Sequence, residues 1–155
     1  MIASIQALNA FKQWEKFSSK VYPDSGGNAT IGYGNLLHKG PPTAEDRKLV
    51  WSEEHAENML KVKMIVAEQA LNKKITVKVN QNQFDALILW VYNCGIGALD
   101  HCSWLRELNK GNHTVVPRLM RLWNKETING ELVVSKGLVN RRKFEADLFN
   151  SVEGL

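Results

Sequence analysis

The sequence predicts an α+β protein in which short strands near the N-terminus are followed by a series of helices. Three observations support this prediction. Apolar residues recur at helical spacing over residues 2–17, two strand-like segments at residues 20–22 and 29–33 flank a turn, and helical patterns dominate from residue 53 onward. With 155 residues, the chain is long enough to bury the core of one domain.

The first helix is predicted over residues 2–15, with Glu15 in its last turn. Its apolar positions follow one another in steps of three residues: Ile5, Leu8, Phe11, Trp14 and Phe17. Most glutamates on helices are simply solvated. The aromatic neighbours of Glu15 instead favour its uncharged acid form, because burial in apolar surroundings disfavours a charge.

A second carboxylate, Asp24, lies in the turn formed by residues 23–28. Gly26 and Gly27 allow the positive backbone dihedrals that a tight reversal needs. The backbone donors of such a turn favour the ionised carboxylate, although Asp24 could also be an ordinary turn former. Thr30 follows six residues later, where the next strand can return it to face Asp24, or where it could simply fill the strand.

Two acids with different surroundings are what glycoside hydrolysis requires. One carboxyl group must keep a proton to donate to the leaving oxygen, and the other must stay ionised to act on water or on the sugar cation. Glu15 and Asp24 fit these two roles.

The remaining chain is predicted to be helical. Ser52 is a suitable N-cap for a long helix from residue 53, whose apolar stripe consists of Ala56, Leu60, Met64, Ala67 and Leu71. Asn80 and Gln83 have the form of a capping box before a helix that is apolar on nearly every side. Further helices are predicted over residues 43–50, 103–110, 115–123 and 136–150, with a hairpin turn at Asn129-Gly130.

Composition excludes several classes of protein. Hydrophobic residues form 44% and charged residues 23% of the chain, which is typical of a globular protein. The net charge of +4 suits an anionic polymer such as cell wall, nucleic acid or membrane, or serves solubility alone. Cys94 and Cys102 match neither a redox nor a zinc pattern and the histidines lack ligand spacing, so no metal or cofactor is expected. Neither a membrane span nor a signal peptide is expected.

Glu15, Asp24 and Thr30, running into Thr30-Ile31-Gly32-Tyr33-Gly34, resemble the catalytic signature of the phage-type lysozymes (endolysins, glycoside hydrolase family 24). Further blocks in the family's order lie at residues 83–87, 93–98, 105–111, 123–124 and 137–145. One departure is Asn35, where the family commonly has a histidine in a structural role. This change puts a supporting interaction in question, and not the chemistry.

The resemblance implies a lysozyme-like α+β fold formed by a single domain, residues 1–155. A small lobe with a short sheet would comprise residues 16–52, and a connecting helix residues 53–72. A helical lobe would comprise residues 73–155 together with the N-terminal helix, residues 2–15. The active site would lie in the cleft between the lobes.

The resemblance also implies an activity, the hydrolysis of the β-1,4 bond between N-acetylmuramic acid and N-acetylglucosamine in peptidoglycan. Glu15 would protonate the leaving oxygen, and Asp24 with Thr30 would hold the attacking water, giving inversion. Arg141 would approach Glu15 in a supporting role. Arg142, expected on a more exposed face, is the alternative partner.

The implied partner is bacterial peptidoglycan, reached through a separate holin-type pore protein by a monomer made in the host cytoplasm without a signal peptide or anchor. It would act on the wall in the periplasm. Nucleic acid is not expected, because Glu145 and Asp147 interrupt the basic cluster at residues 141–143. Two alternatives remain: a lytic transglycosylase, which does not need Asp24 and Thr30, and a non-enzymatic wall-binding protein.

Overall fold

The computed structural model describes residues 1–152 and confirms the predicted α+β class. The helices are α1 (Ile5–Glu15), α2 (Glu53–Lys74), α3 (Gln81–Cys94), α4 (Ser103–Asn109), α5 (Val116–Met120) and α6 (Lys136–Asn150). The strands are β1 (Ser18–Pro23), β2 (Ala29–Gly32), β3 (Asn35–His38), β4 (Lys125–Ile128) and β5 (Glu131–Val134). Short 3-10 turns lie at Asp46–Lys48, Ile96–Asp100 and His113–Val115.

The chain forms two compact units, one comprising Leu8–Met64 and the other Met1–Ala7 with the chain from Ile65 onward. The first unit, which we call the sheet unit, contains an antiparallel sheet of order β1-β2-β3. In its register Tyr22 lies opposite Thr30, and Thr30 lies opposite Leu36. Strand β3 was not predicted from the sequence. It forms because the chain turns at Gly32 and Gly34, whose φ angles are +67° and +73°.

The core of the sheet unit is built by the apolar faces of its helices and by its middle strand. The predicted stripe of α2 is confirmed, because all five of its residues are buried, and Ala56, Leu60 and Met64 of this stripe belong to the sheet unit. The side chains of Phe11 and Ile31 are fully buried as well. This packing fixes the end of α1 and the strands that follow it, which carry the candidate site.

The predicted helix over residues 43–50 is wrong, because only the short turn Asp46–Lys48 forms there. The Asp46 carboxylate accepts hydrogen bonds from the backbone N–H and the hydroxyl of Thr43, at 2.7 and 2.8 Å, and so starts the turn. Leu49 is already extended, and Val50 pairs with Lys20 as an isolated antiparallel bridge. Sheet pairing with a distant segment therefore replaces the continuation of the helix.

The second unit, which we call the helical unit, has α3 at the centre of its core. The predicted capping box of Asn80 and Gln83 is confirmed, and α3 is buried continuously from Phe84 to Val91. The Trp90 ring makes edge contacts with the rings of Trp104 and Trp123, at centroid distances of 5.1 and 5.0 Å.

The predicted hairpin is also confirmed in the helical unit. Asn129 and Gly130 both have positive φ angles, of 51° and 82°, as a two-residue type I′ turn between β4 and β5 requires. The helix predicted over residues 115–123 is shorter than expected, since α5 ends at Met120. Among residues 1–152, none of the helices combines the length and apolar character needed to cross a bilayer.

Candidate active site

Glu15 is the last residue of α1, as the sequence predicts. The helix ends there because Lys16 adopts a left-handed conformation, with φ of +51°. The backbone N–H of Lys16 still donates to the Lys12 carbonyl oxygen at 3.1 Å, so the last turn is closed before the chain leaves it. The half-buried Glu15 side chain thus projects from a well-defined helix end.

Gly34 lies directly against the Glu15 carboxylate. A Cβ atom at this position would lie only 2.9 Å from Glu15 Oε2, which is closer than real Cβ contacts. The positive φ of Gly34, +73°, is a second reason why glycine is favoured there. The backbone after β2 therefore forms one wall of the space that Glu15 occupies.

Asp24 is held in a tight turn that supplies donors to its carboxylate. Asp24 Oδ1 accepts hydrogen bonds from the backbone N–H groups of Gly26 and Asn28, at 2.8 and 2.9 Å. The Asn28 backbone bond is the largest cause of a pKa below the usual value for Asp24. The expected effect of the turn is therefore confirmed, since its donors favour the ionised carboxylate.

Thr30 lies beside Asp24 on the adjacent strand and is 3% exposed. Its single hydroxyl hydrogen is shared between two acceptors, Asp24 Oδ2 at 3.4 Å and the Asn28 carbonyl oxygen at 3.2 Å. The contact with Asp24 is at the long end of hydrogen-bond distances, so it contributes little binding energy. The structure thus brings Asp24 and Thr30 together.

Tyr22, which the sequence analysis did not select, lies within electrostatic range of both acids. The pKa of its phenol is raised, first by burial and then by the negative charges of Glu15 and Asp24. Tyr22 lies near the end of β1, opposite Thr30 in the sheet and two residues before Asp24. Its closeness to Asp24 in the chain is the sequence signal that would have identified it.

Asn35, the departure from the family pattern, is 4% exposed at the start of β3. Within residues 1–152, its side-chain oxygen Oδ1 is buried without a hydrogen-bond partner. A histidine ring nitrogen would present different hydrogen-bonding options at this position. The supporting interaction that the sequence put in question is therefore that of the buried Asn35 side-chain amide, next to Gly34.

The arginine pair of α6 differs from expectation in one respect. Arg142 is not on an exposed face: it is 1% exposed and binds Glu145 Oε1 at 2.7 Å, Asn93 Oδ1 at 2.8 Å and Cys94 Sγ at 2.7 Å. Arg141 is 6% exposed, and its Nε donates to the same Glu145 oxygen at 3.4 Å. The prediction for Arg142 is wrong because α3 packs over that face of α6. The role of Arg141 towards Glu15 stays a prediction.

Solved structures with the same fold include endolysins. The endolysin from Escherichia coli O157:H7 phage FAHEc1 superimposes with a TM-score of 0.87 at 37% sequence identity, over 97% of this chain and 94% of that one. The fold is therefore that of the lysozyme-like glycoside hydrolases.

The sequence profile of the phage lysozyme family matches residues 12–145. The endolysin of Bacillus phage PZA is 37% identical over 97% of this chain, and that of Acyrthosiphon pisum secondary endosymbiont phage 1 is 32% identical over 97%. This chain spans 56% of the length of the first relative and 99% of the second. The protein belongs to the phage lysozyme family, and it is a glycoside hydrolase of the muramidase-type endolysins.

Proposed function

We propose that this protein hydrolyses the β-1,4 bond between N-acetylmuramic acid and N-acetylglucosamine in bacterial peptidoglycan, and that it serves host cell lysis. The observation that carries the proposal is the pair of carboxylates that both act electrostatically on Tyr22 but are held in different ways. Asp24 is surrounded by turn donors that favour its charge, whereas Glu15 lies at a helix end against the Gly34 backbone. This difference matches the division of labour in glycoside hydrolysis.

In the proposed mechanism, Glu15 donates its proton to the leaving glycosidic oxygen. The ionised Asp24 stabilises the positive charge that develops on the sugar, because a fixed negative charge close to an oxocarbenium-like centre lowers its energy. The Thr30 hydroxyl, beside Asp24 Oδ2, orients the attacking water together with that carboxylate. Water then attacks from the face opposite the leaving group and gives up a proton to the Asp24 carboxylate, so the configuration at the anomeric carbon is inverted.

The proposal extends to the organisation of the chain. Residues 1–155 act as one lysozyme domain, with a small lobe over residues 16–52, a connecting helix over 53–72 and a helical lobe over 73–155 with the first helix. Arg141 supports Glu15 from the helical lobe. This role fits a buried guanidinium on α6.

The proposed partners follow from the substrate. The enzyme acts as a monomer on the peptidoglycan of the periplasm, without a cofactor, after passage through a holin-type pore. The basic net charge of +4 favours contact with the anionic wall.

Mass spectrometry of the products from purified peptidoglycan tests the proposal. We expect muropeptides with reducing N-acetylmuramic acid ends. Anhydro products would instead identify a lytic transglycosylase, and binding without product would identify a non-enzymatic wall-binding protein.

The Glu15→Gln variant tests the acid in the same assay, because the amide keeps the shape of the side chain but has no acidic proton. Positioned acid catalysis contributes on the order of 10²–10⁴-fold, and activity should fall by about this factor. Glu54→Gln, at an exposed position in the first turn of α2, is the matched control and should retain activity. Near-normal turnover by a folded Glu15→Gln protein would contradict the assignment.

A further inference from the structure

Lys63 reaches from α2 to the loop against which Glu15 lies. Its Nζ atom donates a hydrogen bond to the Gly34 carbonyl oxygen at 3.0 Å. Gly34 is also the residue whose α-carbon faces Glu15 Oε2 so closely that a Cβ atom would lie 2.9 Å away. Gly34 thus lies beside the carboxylate of the proposed acid and accepts the hydrogen bond of the Lys63 ammonium group with its carbonyl oxygen.

The ammonium group of Lys63 is also within electrostatic range of Glu15. Burial lowers the pKa of Lys63, and the negative charge of Glu15 acts in the opposite direction. A lysine on a helix usually extends into solvent, and Lys61, two residues earlier, is an example: it is 49% exposed and pairs with Glu57 Oε1 at 2.8 Å. The Lys63 side chain is instead partly buried in the sheet unit near the proposed acid, where its ammonium group loses part of its hydration.

The residue that follows Gly34 gives this loop less support. Asn35 follows Gly34, and its buried Oδ1 has no hydrogen-bond partner among residues 1–152. The side-chain amide oxygen of Asn35 therefore does not help to anchor this loop, and on this side it is held by the backbone pairing of Asn35 with Ile31. The Lys63 bond to Gly34 supplies an anchor one residue away, from a helix whose other face is packed in the core.

We propose that Lys63 is a positioning residue for Glu15, which fixes the Gly34 backbone against the acid. The proposal rests on the proposed function of Glu15. Lys63 itself does not touch the reacting atoms. It keeps the Glu15 carboxyl group in the orientation from which the proton reaches the leaving oxygen, and small displacements of such groups are costly.

Lys63→Met tests this role, because methionine keeps much of the aliphatic stem and removes both the donor and the charge. Initial rates on soluble, un-cross-linked glycan strands of peptidoglycan give kcat and KM separately. We expect kcat to fall by about 10- to 100-fold, as for a misplaced catalytic group, while KM changes by less than about twofold. Lys63→Arg keeps a donor and a charge and should recover most of kcat.

Lys61→Met is the matched control, since it removes an exposed lysine from the same helix. It should leave kcat and KM at wild-type values. Thermal unfolding of each variant, with rates measured well below Tm, separates the loss of a positioned group from a smaller folded fraction. A lysine that is only structural would lower Tm and the amount of active enzyme, and the kcat of the folded fraction would not change.

The result that overturns the inference is a folded Lys63→Met enzyme with wild-type kcat, or a loss confined to KM. If Lys63→Met does not fold, Lys63→Gln takes its place: its neutral, shorter side chain should also lose kcat, and a wild-type kcat would overturn the inference in the same way. Assays of the wild-type enzyme separate a failure of the proposed function from a failure of the role proposed for Lys63. If it releases no reducing muropeptides, the proposed function fails, whereas an active wild type with an unaffected Lys63→Met variant refutes only the role of Lys63.

Discussion

Thr30→Val tests whether the threonine hydroxyl holds the attacking water or only fills a strand. Valine has nearly the same shape and a high strand propensity, so the substitution removes the hydroxyl and little else. Thr30 is 3% exposed, and the new methyl group would occupy the space of the hydroxyl. The fold should therefore tolerate the change.

The expected cost in stability follows from the two bonds of the hydroxyl. The contact with Asp24 Oδ2 is long, 3.4 Å, and the Asn28 carbonyl oxygen that it also contacts keeps a backbone bond from Asp24 N–H at 2.9 Å. No buried acceptor loses its last partner. The free energy of unfolding should change by about 1 kcal/mol or less. In a domain of this size, this corresponds to a shift in Tm of roughly 2–4 °C.

The expected cost in activity is much larger. The lowered pKa of Asp24 depends first on the Asn28 backbone bond, and the Thr30 hydroxyl is a lesser cause. Asp24 therefore stays ionised at neutral pH in the variant, and only the positioning of the water is lost. The loss of one positioned hydrogen-bonding group in an active site costs on the order of 10²–10³-fold in kcat.

Release of reducing ends from purified peptidoglycan measures this loss, and circular dichroism melts measure stability on the same samples. Thr127→Val, the same substitution at an exposed position of β4, is the control and should match wild type. Wild-type turnover by Thr30→Val would show that the threonine fills the strand. The water-holding role, and the support it gives to an inverting mechanism, would then be refuted.

Three further predictions concern other parts of the molecule. Arg142→Ala should lower the free energy of unfolding by about 3–5 kcal/mol in chemical denaturation, because it removes the 2.7 Å bond to a fully buried glutamate; a change below about 0.5 kcal/mol would contradict this. Gly34→Ala should reduce both Tm and kcat, because its Cβ would meet Glu15 Oε2 at 2.9 Å and its φ is +73°; an active, stable variant would disprove the close contact. The ion pair of Asp46 and His38 should stabilise the protein only at intermediate pH. The Thr43 backbone bond, and after it the His38 bond, lowers the pKa of Asp46 from 3.8 to about 2, so the contribution of this carboxylate is lost as pH falls between these values. The Lys39 carbonyl oxygen, and after it Asp46, raises the pKa of His38 above 6.5, so the contribution of the imidazolium is lost as pH rises through the raised value. Asp46→Asn should therefore lower Tm at pH 5 and have less effect at pH 2 or 9, and an equal effect at all three would exclude the pair as the cause.

Several features of this protein are determined by short stretches of sequence. The Asp24 turn forms because glycines and backbone donors lie within five residues of the carboxylate. The hairpin at Asn129-Gly130 and the capping box of Asn80 with Gln83 have the same origin, since each needs only neighbours in the chain. The apolar period likewise placed Glu15 in the last turn of α1, although the exact end is set by the left-handed Lys16. These features include both proposed catalytic carboxylates.

Other features depend on contacts between segments that are far apart in sequence. Helical spacing indicates an inward face on α6, but it does not say that Arg142 would be buried, because Asn93 and Cys94, which bind it, lie about 50 residues earlier. The same reason explains the unpredicted strand β3 and the extended Val50, whose pairing partners belong to other segments.

Lys63 is the clearest example of a feature that depends on contacts between distant segments. In the sequence it is one of several lysines in α2, and no local pattern separates it from Lys61. Only the folded sheet unit brings its ammonium group 3.0 Å from the Gly34 carbonyl oxygen, across a separation of 29 residues. The sequence alone identifies the catalytic side chains whose positions are set by the local conformation of a few neighbouring residues. The tertiary structure decides which charges lie beside them, because burial and electrostatic interaction depend on distances in space.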